Sequence, residues 1–181
     1  MATLASLVPA LAVLCAAPAF PQTGQPRLSL PDSEIEDTYA AYSALISQEV
    51  GAAESSKILI MEYTRGGHDD ANCLKAPEGQ DATQYTDQIN RYLERNKASY
   101  RLVAKFDIGR PYELVGSVPN IGVGRPALHV SLSAIGFNTA RDRAVVYMEY
   151  GGMGGAHFLT KVAGKWAVDF QRQPRRCGWI A

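Results

Sequence analysis

Two histidines, His129 and His157, each sit in a β-like run where polar and apolar residues alternate, and alternation puts every second side chain on the same strand face. On a shared sheet face they would form a pair able to move protons near neutral pH. Ser131 or Ser133 would serve as the hydroxyl and Glu62, Glu113 or Glu149 as the carboxylate. That is the chemistry of a small hydrolase. No GxSxG elbow frames either serine, and Cys73 would act as a nucleophile only as a free thiolate beside a histidine. The competing account makes both histidines ordinary members of a half-exposed sheet.

Gly151, Gly152, Gly154 and Gly155 form the glycine-rich segment of the chain and would allow a ligand to approach the backbone closely. A phosphate-binding P-loop needs GxxxxGK[ST] opening a helix, whereas this segment lacks the lysine and runs into a strand-like stretch, which predicts a hairpin connection. His68, Asp69, Asp70, Asn72 and Cys73 bring imidazole and carboxylate ligands into one loop, but the spacing fits neither an EF-hand nor HExxH. No metal site and no cofactor are expected. Trp166, Val168 and Phe170 alternate on one strand face near Tyr147 and Tyr150, a pattern that serves core packing or an aromatic binding surface.

Charge names no partner: Lys plus Arg and Asp plus Glu number 18 each. A nucleic-acid binder would carry a basic excess, so none is expected as a partner. The basic tail Arg172, Arg175, Arg176 and the acidic cluster Asp32, Glu34, Glu36, Asp37 read as solvated faces.

Residues 1–19 read as a signal peptide. No charge occurs between Leu4 and Phe20, Leu7–Leu14 supplies an apolar core, and Ala17-Pro18-Ala19 offers small residues for cleavage. The expected destination is the periplasm or the exterior, with no membrane span after cleavage. The alternative is an N-terminal membrane anchor, which Pro9, Pro18, Pro21 and Pro26 oppose. Lipidation at Cys15 is disfavoured by the bulky Leu14 before it. In an oxidising compartment the two remaining cysteines, Cys73 and Cys177, read as a disulfide. Such a bridge closes a loop of about 100 residues, for which chain-entropy models give about 4 to 5 kcal/mol.

Residues 20–31 are proline-rich and predict an extended lead-in, and 32–181 predict one domain. Ser33 and Glu36 fit a capping box for a helix over about Ser33–Val50, whose Ile35, Tyr39, Tyr42 and Ile46 share a face. A strand is predicted at Lys57–Tyr63. A second helix runs from Asp81 or Thr83 to about Lys97, with Tyr85, Ile89, Tyr92 and Leu93 inward. Strands follow at Tyr100–Phe106, Tyr112–Val115, from Leu128, and at Ala144–Tyr150, Ala156–Val162 and Trp166–Phe170. The predicted class is α+β, with the two N-terminal-half helices packed on one face of a mostly antiparallel sheet that ends in a C-terminal β-meander.

Ser131–Asn138 ending in Gly-Phe-Asn, then Arg143–Tyr147, the glycine loop, Gly164-Lys165-Trp166 and Trp179 follow one another in a particular order. Upstream stand Asn96–Tyr100, Phe106 and Tyr112-Glu113-Leu114. This succession resembles a group of uncharacterised exported bacterial proteins, over roughly Tyr92 to Trp179. The resemblance implies export and a compact domain and transfers no catalytic residue. The expected function is a non-enzymatic cell-envelope domain that binds a protein or a small ligand. The alternatives are a hydrolase using His129 and His157, and a structural or assembly module, which calls for an exposed apolar patch.

Overall fold

A computed structural model describes residues 26–50, 57–65, 74, 81–117 and 127–169, and the backbone of 179–180. Residues 1–25, the His68–Cys73 loop, Phe170 and Cys177 lie outside the described residues.

The first helix, α1 (Ile35–Glu49), forms where the apolar spacing requires it, with Tyr39, Tyr42, Leu45 and Ile46 buried. Its start differs from expectation. Asp32–Glu34 make a 3-10 turn in which Glu34 N–H donates to the Pro31 carbonyl at 2.9 Å, and neither this turn nor α1 has a side-chain cap hydrogen bond. Glu34 holds the N-cap position of α1 and Ser33 lies inside the preceding turn, so Ser33 does not stand where a capping box needs its hydroxyl. The second helix, α2 (Thr83–Arg95), has its first turn steadied by Asp81, whose carboxylate accepts from Thr83 N–H at 3.0 Å and from Thr83 Oγ1 at 2.7 Å.

The strands are β1 (Arg27–Ser29), β2 (Lys57–Met61), β3 (Ser99–Arg101), β4 (Tyr112–Val115), β5 (Ala127–Leu132), β6 (Gly136–Phe137), β7 (Arg143–Tyr150), β8 (Met153–Val162), β9 (Lys165–Val168) and β10 (Trp179–Ile180). The large sheet runs in the order β10-β8-β7-β5-β2-β4, with β6 on β7 and β9 on β8. The α+β class and the C-terminal meander are as expected: β5, β7, β8 and β9 pair antiparallel in succession. At the other end β2 lies between β4 and β5 and runs parallel to both, so the sheet is mixed.

The segment expected as a lead-in contributes to the fold, since β1 pairs in parallel with β3 and Leu30 is buried in the core. The strand expected over Tyr100–Phe106 stops at Arg101. Beyond it Leu102 N–H still donates to the Glu62 carbonyl at 2.7 Å, and then three backbone donors go to side chains instead of a ladder: Val103 N–H to Tyr39 Oη at 2.7 Å, Phe106 N–H to Tyr112 Oη at 3.1 Å and Asp107 N–H to Ser43 Oγ at 2.8 Å.

The two helices take alternate sides of β7, a correction to the expectation of one shared face. Ala144, Val146 and Met148 join the cluster that holds Tyr42, Leu45 and Ile46 of α1, whereas Val145 and Tyr147 join Tyr85 and Tyr92 of α2 together with Phe158. Side-chain alternation makes this possible because β7 is apolar on both faces. The short β6 is gripped between the two clusters. Phe137 stacks on Trp166 with ring centroids 5.4 Å apart, while Gly136 lies against α2. A Cβ on Gly136 would stand 2.2 Å from the Gln88 carbonyl oxygen and 2.4 Å from the Tyr92 nitrogen, both backbone atoms that cannot swing aside.

Gly136→Ala is therefore expected to destabilise by on the order of 3 kcal/mol, the upper end for overpacking. Urea denaturation measures this, and a loss below about 0.5 kcal/mol would contradict the close approach.

Candidate functional site

α1 presents an outward strip of small and charged residues, Glu36, Ala40 and Ser47, all exposed. At 3.6 residues per turn, Tyr39 and Ser43 fall on one flank of that strip and Asp37 and Gln48 on the other. Each flank is tied to a wall. The Leu102–Asp107 segment rises beside the first, held by the Tyr39 and Ser43 bonds already described. The β8–β9 hairpin rises beside the second: Asp37 Oδ1 accepts from Lys161 Nζ at 2.5 Å and from Trp166 Nε1 at 3.3 Å, and Gln48 Oε1 accepts from Val168 N–H at 3.3 Å. The result is a groove of about 550 Å³, floored by α1 and edged by Lys105 and Asp107 on one side and Gly164, Lys165 and Trp166 on the other. This size lies in the usual range of ligand sites.

Trp166 is 7 % exposed, and Lys161 Nζ sits 5.0 Å from its ring centroid. The hairpin turn behind it puts Ala163 and Gly164 at φ +49° and +78°, the pair of left-handed residues that a two-residue turn requires. Sequence reading missed this groove because its floor is the polar back of an amphipathic helix, where a run such as Glu36, Ala40, Ser47 looks like plain solvated surface.

The expected histidine pair does not assemble. Ser131 faces Glu149 across β5 and β7, and Val146 faces His157 across β7 and β8. Glu149 and Val146 are three positions apart on β7 and point to opposite faces, so His129 and His157 do too. The intervening strand, invisible to a reading that treats each run alone, sets this parity.

On the α1 face His157 is 7 % exposed, and its Nδ1 lies 3.6 Å from Glu49 Oε1 at the end of α1. Glu49 Oε2 also accepts from Tyr150 Oη at 3.2 Å. Burial raises the Tyr150 phenol, and the neighbouring Glu49 adds to that. On the opposite face, both ring nitrogens of His129 and the Ser131 hydroxyl are buried with no hydrogen-bond partner, so the two do not form a nucleophile–base pair. Ser133 Oγ donates to the Ala134 carbonyl and accepts from Tyr147 N–H.

The three carboxylates considered for catalysis each meet a cation. Glu62 meets Arg101 at 2.8 Å, Glu113 meets Lys57 at 2.5 Å and Glu149 meets Arg65 at 3.2 Å. Gly151 and Gly152, at φ +54° and +79°, make the two-residue β7–β8 turn, and Gly154 and Gly155 are strand residues of β8. Of the aromatic stripe, Trp166 and Val168 face the α1 cluster and Tyr147 the α2 cluster. Among the described residues no group of three or more His, Cys, Asp or Glu side chains is placed to hold a metal ion. No described helix is long and apolar enough to cross a membrane.

Burial lowers the His157 imidazole below its ordinary value, and Glu49 opposes that shift without reversing it. The unfolded chain then takes up this proton first, at the ordinary histidine value of about 6.5. The stability contributed by a neutral His157 is complete above that pH and declines as the pH falls below it. His157→Gln is expected to flatten the loss of stability between pH 7.5 and 5, measured by chemical denaturation across that window. Parallel curves for the two proteins would contradict it.

No protein-family model, curated protein or solved structure matches this chain.

Proposed function

We propose that this chain is an exported, non-catalytic binding domain of the cell envelope that takes its ligand in the α1 groove. The observation that carries this reading is the groove itself, a water-facing concavity of ligand size whose two walls are both lashed to one helix. The placing of the residues considered for catalysis supports this reading: Glu62, Glu113 and Glu149 are in ion pairs, Ser133 is in the core, and the two histidines stand on opposite faces of the sheet. A small hydrolase is the second reading, favoured by the one contact between His157 and Glu49. An assembly module calls for a contiguous apolar patch. The exposed large apolar side chains among the described residues are Leu28, Val103, Met153 and Val162, and the last two stand at opposite ends of β8.

Incubation with ester, amide and phosphate-ester substrates is expected to give no turnover above background. Turnover that disappears in His129→Ala or His157→Ala would overturn the binding reading in favour of catalysis. Export and the Cys73–Cys177 bridge belong to the same proposal and share one measurement, the intact mass of the exported protein before and after reduction and alkylation. A chain starting near Phe20 whose cysteines label only after reduction is expected. A retained leader, or both cysteines labelling without reductant, would count against that part.

A further inference from the structure

The groove also has a shape and a charge pattern. From Glu36 to Ser47 its floor runs eleven helical steps, or roughly 16 Å at 1.5 Å per residue. An extended peptide of five residues covers about the same distance at roughly 3.3 Å each. Beside Ile35 and Tyr39, the floor carries the small side chains Ala40, Ser43, Ala44 and Ser47, which leave depth for a backbone with modest side chains of its own. Four charged residues line the groove, Glu36, Lys105, Asp107 and Lys165, and none of them forms an ion pair among the described residues. Nearby charges of the same kinds are already paired: Asp37 is with Lys161, and Arg95 with Glu34. Two cations and two anions left open around one narrow, small-residue floor complement a ligand that carries both signs of charge along its length.

Resting on the binding reading above, we infer that the ligand of this groove is a short extended peptide of about five residues bearing charges of both signs. Backbone and small side chains lie along α1 between Ala40 and Ala44, and the charged ends or side chains meet Lys105 and Lys165 on the walls and Glu36 and Asp107 beside them. Because both walls are fastened to the floor helix, little of the binding free energy goes into ordering the site.

The test is NMR titration of the full exported chain with the pentapeptide Lys-Ala-Ala-Ala-Glu. The expected result is saturable shifts in the amides of 36–47 that weaken about fivefold when salt rises from about 0.05 to 0.5 M. Ala40→Trp, which fills the floor from an exposed position, should weaken binding at least tenfold. Lys105→Glu combined with Lys165→Glu should weaken it about fivefold. Thermal melts confirm that the variants are folded, and Ala40→Arg replaces Ala40→Trp should the latter melt early. An end-capped pentapeptide of alanine that binds as tightly would overturn the charge complementarity while leaving the groove as the site. A saccharide probe whose binding is sensitive to Ala40→Trp, with no peptide binding, would overturn the peptide class and keep the groove. Binding of either probe that neither Ala40 variant affects, or no binding by any probe, would overturn both readings.

Discussion

The interruption between β5 and β6 imposes the constraint around which this fold is arranged. There the chain leaves the ladder for Ser133–Ile135 while still inside the core, and buried backbone groups without partners cost about 1 to 3 kcal/mol each. Every element nearby supplies one. Asn96, just past α2, accepts from Ala134 N–H at 2.9 Å and donates Nδ2 to the Ala134 carbonyl at 3.0 Å and to the Tyr92 carbonyl at 2.8 Å. From α1, Tyr42 Oη donates to the Ser133 carbonyl at 2.6 Å, and burial raises that phenol far above its ordinary value, so it stays a donor. β7 closes the set, with Ser133 N–H on the Tyr147 carbonyl and Tyr147 N–H on Ser133 Oγ. One short break thus sets the positions of both helices against the sheet.

That arrangement accounts in physical terms for Gly136-Phe137-Asn138 and Gly164-Lys165-Trp166 of this chain. Gly136 permits the close approach to α2, Phe137 seats Trp166, and Asn138 Oδ1 caps the following turn by accepting from the N–H groups of Asp142 and Arg143. Gly164 supplies the second left-handed residue of the β8–β9 turn, and Trp166 anchors that hairpin to Asp37. Asn96 bridges α2 to the interruption. These residues carry architecture.

Periodic patterns proved readable where one neighbour decides the outcome. The stripe on α1, the Tyr85 and Tyr92 face of α2 and the alternation in β9 each record burial against a single layer. Features set by two or more distant partners were not readable. The end of β3 depends on hydroxyls of α1 about 60 positions away, the parity of the two histidines depends on β7, and the parallel pairing of β2 depends on strands from later in the chain. The groove belongs to this second kind. Its floor is unremarkable surface in sequence, and it becomes a concavity only when Leu102–Asp107 and the β8–β9 hairpin are brought alongside.

Because both rims of the groove are bonded to the same helix, neither can move outward without breaking contacts to Tyr39, Ser43, Asp37 or Gln48. On the proposed binding reading, a cleft of this build would select by size and admit its occupant without a gating motion, so residence time would reflect contacts more than closure. It also divides the labour of adaptation. On the same reading, exposed residues at the rims could change to suit another occupant while the four tethering side chains preserve the width and the core beneath stays undisturbed.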